Sequence, residues 1–123
     1  MDIDTLREYC KSIKGATEEM PFKEPYLIFK VLGKWFALVP LQDEELNISL
    51  KCDPDKAIDL RDEYKCVEPA WHFNKKYWNS ILLNRDMNDE TVKYWIRHSV
   101  EEVIKKLPKK IREEYWGGEA VAE

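Results

Sequence analysis

The period of the apolar positions changes several times along the chain, and each change marks an element. Leu6, Tyr9, Cys10 and Ile13 recur at the spacing of one helical face, with Arg7, Glu8 and Lys11 on the other side. Asp4 is the expected N-cap, and Gly15 falls just past the end, where a left-handed residue closes a helix. Residues 17–25 hold two prolines and three glutamates and read as a connecting loop. Residues 26–32 and 35–39 are rich in aromatic and β-branched side chains. Gly33-Lys34 lies between them as a turn, so the pair predicts a hairpin that Pro40 ends. Residues 46–52 alternate strictly. Leu46, Ile48, Leu50 and Cys52 point one way, and Asn47, Ser49 and Lys51 the other. That alternation predicts an antiparallel sheet with one buried face and one wet, polar face.

Asp53-Pro54 is a helix start, with a capping carboxylate followed by proline at the first helical position. Ala57, Ile58, Arg61 and the stem of Tyr64 continue that helix until Val67-Glu68-Pro69 breaks it. Residues 78–83 read as a further strand. Asn88 caps the last main helix, whose face is Val92, Ile96, Ser99, Val100, Val103 and Leu107. Asp89 and Glu90 sit at its positive end, and Lys105 and Lys106 at its negative end. Pro108 limits it, residues 109–116 add a short turn of helix, and the residues beyond read as a frayed tail. The order is helix, hairpin, strand, helix, strand, helix. It predicts an α+β domain, a two-layer sandwich of antiparallel sheet and helices, rather than a parallel βαβ sheet.

Composition adds limits. The chain has 123 residues, enough for one core and too few for two. Its 44% hydrophobic and 36% charged content is that of a folded domain with a solvated surface. No apolar run approaches a membrane span, and the first residues carry no signal-peptide pattern, so a cytoplasmic location is expected. Cys10, Cys52 and Cys66 are odd in number and lack C-x-x-C spacing, which argues against a zinc ribbon or a disulfide framework. The net charge of -4 weighs against a dedicated nucleic-acid binder, although the placement of charge matters more than its sum.

The richest chemistry lies in residues 71–78. Lys75 and Lys76 are placed to contact phosphates, His72 and Asn74 to bond a base edge or phosphate, and Trp78 or a neighbouring ring to stack on a base. The competing reading is structural: alternate rings enter the core, the lysines are solvated, and His72 and Asn74 bond backbone in a tight turn. Lys105, Lys106, Lys109, Lys110 and Arg112 form a second basic cluster, either extending the first or merely complementing a helix end. The polar sheet face, with Lys30, Asn47, Ser49 and Lys51, is a possible docking surface for a protein or small ligand.

Four markers resemble the MmcQ/YjbR family: Met20-Pro21-Phe22, residues 51–54, residues 72–78, and His98-Ser99 followed by residues 106–110. The resemblance covers roughly residues 1–115. Two positions depart from the family pattern, Lys23 where glycine is common and Val100 where an aromatic is common. The resemblance implies a CyaY/frataxin-like fold, with helices packed on one face of an antiparallel sheet. It also implies DNA binding, through a proposed double-wing arrangement. By analogy with frataxin it raises metal handling through Asp2, Asp4, Glu8, Glu18 and Glu19, although these lack ligand spacing. No cofactor motif, Gly-rich phosphate loop, G-x-S-x-G or H-E-x-x-H occurs, and a non-enzymatic module is expected.

Overall fold

The computed structural model describes residues 1–21, 25–71 and 73–120, with side chains to Gly117. Phe22, Lys23, Glu24, His72 and the last three residues of the tail lie outside the described residues.

Helix α1 (Ile3–Ser12) starts two residues earlier than its pattern suggests. Asp2, not Asp4, is the cap, and its carboxylate accepts the Thr5 amide at 2.8 Å. Leu6 and Cys10 are buried and Tyr9 and Ile13 half-buried, as the spacing requires. Gly15 follows at φ +74, in the turn that leads out of the helix. Next comes strand β1 (Ala16–Glu19), where a loop was expected. Its two glutamates looked unsuited to a sheet. Glu18, however, is bound by both Nε and NH2 of Arg7 on α1, at 2.8 and 2.7 Å, and Glu19 pairs with Lys30 at 2.6 Å. Those partners offset the charge, and β1 joins the sheet edge beside β2 (Tyr26–Val31).

Strands β2 and β3 (Lys34–Pro40) form the expected hairpin. Its turn is Leu32–Gly33, one residue earlier than expected. Both residues have positive φ, 50 and 76, the conformation whose twist matches the flanking strands. Strand β4 (Asn47–Lys51) leads to helix α2 (Pro54–Glu63), whose cap Asp53 accepts the Asp55 and Lys56 amides. Ala57 and Leu60 form its buried face, whereas Ile58 is exposed rather than packed. Strands β5 (Val67–Pro69) and β6 (Trp78–Leu82) complete a six-stranded antiparallel sheet ordered β1-β2-β3-β4-β6-β5. Helix α3 (Asp89–Ile104), capped by Asn88, lies across β2, β3 and β4, while α1 and α2 cover the sheet ends near β1 and β5. Helix α4 (Lys109–Ala120) is longer than the short turn expected over residues 109–116 and runs into the stretch expected as a frayed tail.

Phe29, Ile48 and Ile81 from the sheet meet Leu6, Ile96 and Ile104 from the helices in the core. The opposite sheet face is not the wet surface that the alternation implied. Asn47 and Ser49 are only 8% and 6% exposed, and Lys30 and Lys51 are half-buried. Local bonds replace water there: the Ser49 and Ser80 hydroxyls lie 2.9 Å apart, and the Asn47 amide donates to the Asp43 carboxylate and the Glu45 carbonyl.

His98 and Ser99 join α3 to the sheet. The β2–β3 register skips Phe36 as a bulge, and the β3–β4 register stops at Ala37 opposite Leu50. The next step would pair Phe36 with Lys51. Instead the buried Ser99 hydroxyl bridges it, donating to the Phe36 carbonyl at 2.5 Å and accepting from the Lys51 amide at 2.9 Å. One residue earlier, His98 Nε2 accepts the Asp53 amide at 3.2 Å, a bond that requires an unprotonated nitrogen.

Burial pushes the His98 imidazole below its ordinary value of 6.5, opposed by Glu102, Glu101 and Asp53 and reinforced by Lys56. The unfolded chain therefore takes up this proton near pH 6.5 while the folded chain resists it. The stability tied to neutral His98 is intact above that pH and is lost as pH falls below it toward the folded value. Thermal melts between neutral pH and about pH 5 are expected to show this loss, and His98→Gln to flatten it. An unchanged pH slope in the variant would assign the acid sensitivity elsewhere.

Candidate functional site

The segment between β5 and β6 is built by its own backbone. Ala70 N donates to the Trp78 carbonyl, Phe73 N to the Ala70 carbonyl, and Tyr77 N to the Asn74 carbonyl, at 3.0–3.1 Å. Asn74 Oδ1 accepts the Lys76 amide at 3.0 Å, so its side chain shapes the turn rather than reaching outward. Arg61 of α2 anchors the segment, donating from NH2 to the Lys75 carbonyl at 2.5 Å and from Nε to buried Asn79 at 2.7 Å. The segment then lays Phe73 on the sheet. Its ring stacks on Trp78 at 4.3 Å between centroids and meets the edge of Trp35 at 6.1 Å. One face of Trp78 is therefore already occupied, and the ring is half-buried.

The expected site residues divide. The Lys75 ammonium sits 4.1 Å from the centre of the Trp71 ring, whereas Lys76 lies over a different ring. Lys76 lies 5.6 Å from the Tyr77 ring, and Lys106, from the turn after α3, lies 6.0 Å from the same ring. The two basic clusters therefore meet at Tyr77. They meet through Lys106 rather than Lys105, which pairs with Glu102 at 2.8 Å. Lys109 pairs with Glu113 at 3.8 Å within α4, and Lys110 is exposed on that helix. His72 is not among the described residues.

Two lysines complete the cluster from the sheet. Lys51 stands opposite Trp78 in the β4–β6 register, and Lys34 opens β3 beside Trp35. Lys34, Lys51 and Lys106 line one groove of about 460 Å³, with Trp35 and Trp78 as its aromatic part and Leu107 and Pro108 as its edge. Burial pushes the Lys51 ammonium down, and Lys106, Lys105 and Lys34 push the same way against the pull of Glu102. Among the described residues, no carboxylate forms an ion pair with Lys34, Lys51, Lys76 or Lys106. Ammonium groups gathered in this way repel one another, and an anion would relieve that repulsion. The sequence signal for Lys34 was its place at a hairpin turn. For Lys51 it was the strand-to-helix junction, which sets its register against Trp78.

Other chemistry has less to work with. The Cys10 and Cys52 thiols are pushed up to about 12 and Cys66 to about 11, with burial the leading cause, which disfavours the reactive thiolate. Among the acids considered for metal, Asp2 caps α1, Glu18 is held by Arg7 and Glu19 by Lys30. Among the described residues, no group of three or more His, Cys, Asp or Glu is arranged to hold a metal ion. Nor is any helix among them long and apolar enough to cross a membrane.

Comparison with known proteins places this architecture. The YjbR family model matches residues 11–101. The uncharacterized protein YjbR of Escherichia coli (strain K12) is 29% identical over 112 residues, spanning 91% of this chain and 95% of that one. The crystal structure of a Deinococcus radiodurans protein with a DUF419 domain superposes with a TM-score of 0.83 at 33% identity, covering 92% of this chain and 86% of that one. A Pseudomonas syringae protein shares the fold at 22% identity, with a TM-score of 0.73 over 84% of this chain and 99% of that one. His98 and Ser99, which marked the resemblance, are the residues that fasten α3 to the sheet. With the family model matching most of its length, the chain belongs to the YjbR family.

Proposed function

We propose that the chain is a non-enzymatic binding module that holds the phosphate backbone of a nucleic acid against Lys34, Lys51, Lys76 and Lys106. The observation that carries this reading is the convergence of those lysines, from two strands, a loop and the turn after α3, around Trp35, Tyr77 and Trp78, with no carboxylate in an ion pair with them among the described residues. Phosphates would replace the missing counter-charge, and the exposed part of Trp35 would meet a base or sugar. The buried, poorly ionised thiols support a binding role over nucleophilic catalysis.

Four lysines make a short footprint. The expected salt dependence is correspondingly modest, with log K falling by roughly 3 per tenfold rise in salt if all four are engaged. Fluorescence anisotropy with labelled single-stranded and duplex DNA tests the reading. Lys51→Ala with Lys106→Ala is expected to weaken binding about tenfold or more at low salt and to reduce the salt slope by about 2. Lys109→Ala with Lys110→Ala is expected to change affinity little. Equal loss from both pairs would mean diffuse attraction to any surface lysine, and no binding at low salt would remove nucleic acid from consideration.

A further inference from the structure

The same sheet face carries the opposite charge at its other end. Two adjoining grooves, of about 430 and 540 Å³, share Leu38, Pro40, Gln42 and Asp43. Each is the size of a small-molecule site. Leu38 and Leu82 supply apolar floor, and rings stand on both sides: Tyr26, Trp35 and Phe73 at one end, Trp71 at the other. The acids are Asp43, Glu44 and Glu45 from the loop after β3, and Glu68 from β5. No lysine or arginine is among the described residues that line either groove.

Among the described residues, three of those carboxylates form no ion pair. Glu45 is paired with Arg85, but Asp43 has only the neutral Asn47 amide at 2.9 Å, and among the described residues Glu44 and Glu68 have no ion pair. The rings carry a separate signal. Trp71 is 64% exposed, and an ammonium, that of Lys75, is held against it at 4.1 Å. An indole face attracts a cation through its quadrupole, most strongly where water is partly excluded.

The floor also selects the kind of cation. Ser49 and Ser80 bond each other, the Asn47 amide is taken by Asp43 and Glu45, and the strand backbones beneath are paired within the sheet. A peptide laid here would bring amide groups that the floor does not satisfy, which is costly on burial. A chain of methylenes carrying ammonium groups brings only what the groove matches.

We propose that this groove binds a linear alkyl polyamine, with ammonium groups at Asp43, Glu44 and Glu68 and methylenes over Leu38 and Leu82 between the Trp35 and Trp71 rings. Its acids are separate from the lysine cluster, Trp35 borders both this groove and the lysine groove, and the proposal does not depend on nucleic-acid binding.

Isothermal titration calorimetry of the full chain with spermidine tests it at fixed ionic strength, with magnesium chloride and a short lysine-containing peptide as comparison ligands. The expected result is saturable one-site binding of spermidine. Glu44→Gln with Glu68→Gln should weaken it tenfold or more, as should Trp71→Ala, whereas Lys51→Ala with Lys106→Ala should leave it unchanged. All of these side chains are exposed or half-buried, so unchanged thermal melts are expected to show that the variants fold. Absence of saturable heat, equal binding by the acid-deleted variant, or an equal response to magnesium would each overturn the proposal. Markedly tighter binding of the peptide would overturn it in favour of a protein partner.

Discussion

Ser99→Ala is expected to destabilise the fold by roughly 2–4 kcal/mol, because one hydroxyl satisfies two backbone groups that have no direct partner in the ladder. Ser99 is fully buried, and its Oγ bridges the Phe36 carbonyl and the Lys51 amide. Removing it leaves a donor and an acceptor without water or protein to bond. Each orphaned group costs about 1–3 kcal/mol, and only part of that is recovered by relaxation. For a domain of this size the melting temperature should drop by roughly 6–16 °C. Ser12→Ala, which removes an exposed hydroxyl, is the control and should shift it little. A small effect at Ser99 would mean that Phe36 and Lys51 close the ladder directly once the hydroxyl is gone. The variant also reaches the candidate site, since Ser99 fixes the end of β4 where Lys51 faces Trp78.

Asn79→Leu is the second large effect. Asn79 is 2% exposed on the core side of β6. Its Oδ1 accepts Arg61 Nε at 2.7 Å, and its Nδ2 donates to the Ala57 carbonyl at 3.1 Å. Leucine fills similar space but strands the guanidinium partly inside the protein, and hydrogen bonds to charged groups carry about 1.5–3 kcal/mol. A loss of roughly 2–4 kcal/mol is expected in denaturant unfolding. Because Arg61 also anchors the Lys75 carbonyl, amide exchange at Lys75, Lys76 and Tyr77 should quicken along with the global loss. Global destabilisation with unchanged local protection of that segment would show that the β6 ladder alone holds it.

The legible parts of the fold were those with a sustained local period. Residues 26–39 and α3 carried their own pattern, and Asn88 and Asp53 cap where expected. What stayed hidden depended on distant partners. Glu18 enters a strand because Arg7 neutralises it, and β5 is only three residues long, held by pairing with β6. The polar face of β4 looked wet because sequence does not show that the Asp43 loop and Ser80 would bond its side chains.

The candidate site was half legible for the same reason. Trp78 lines the groove, and Lys76 and Lys106, one from each basic cluster, lie near the same Tyr77 ring. Asn74, Lys105 and Lys109 are engaged locally instead, by the Lys76 amide, Glu102 and Glu113. Lys34 and Lys51 join only through strand register, a long-range fact.

Residue-resolved NMR titration of the isotope-labelled chain with a single-stranded oligonucleotide at low salt would locate the contact directly. The largest shifts are expected on Lys34, Lys51, Lys76 and Lys106 and on the Trp35 and Trp78 indoles, and they should vanish as salt is raised. Shifts centred on α4 or on the acidic groove, or no shifts at all, would contradict binding at the lysine cluster.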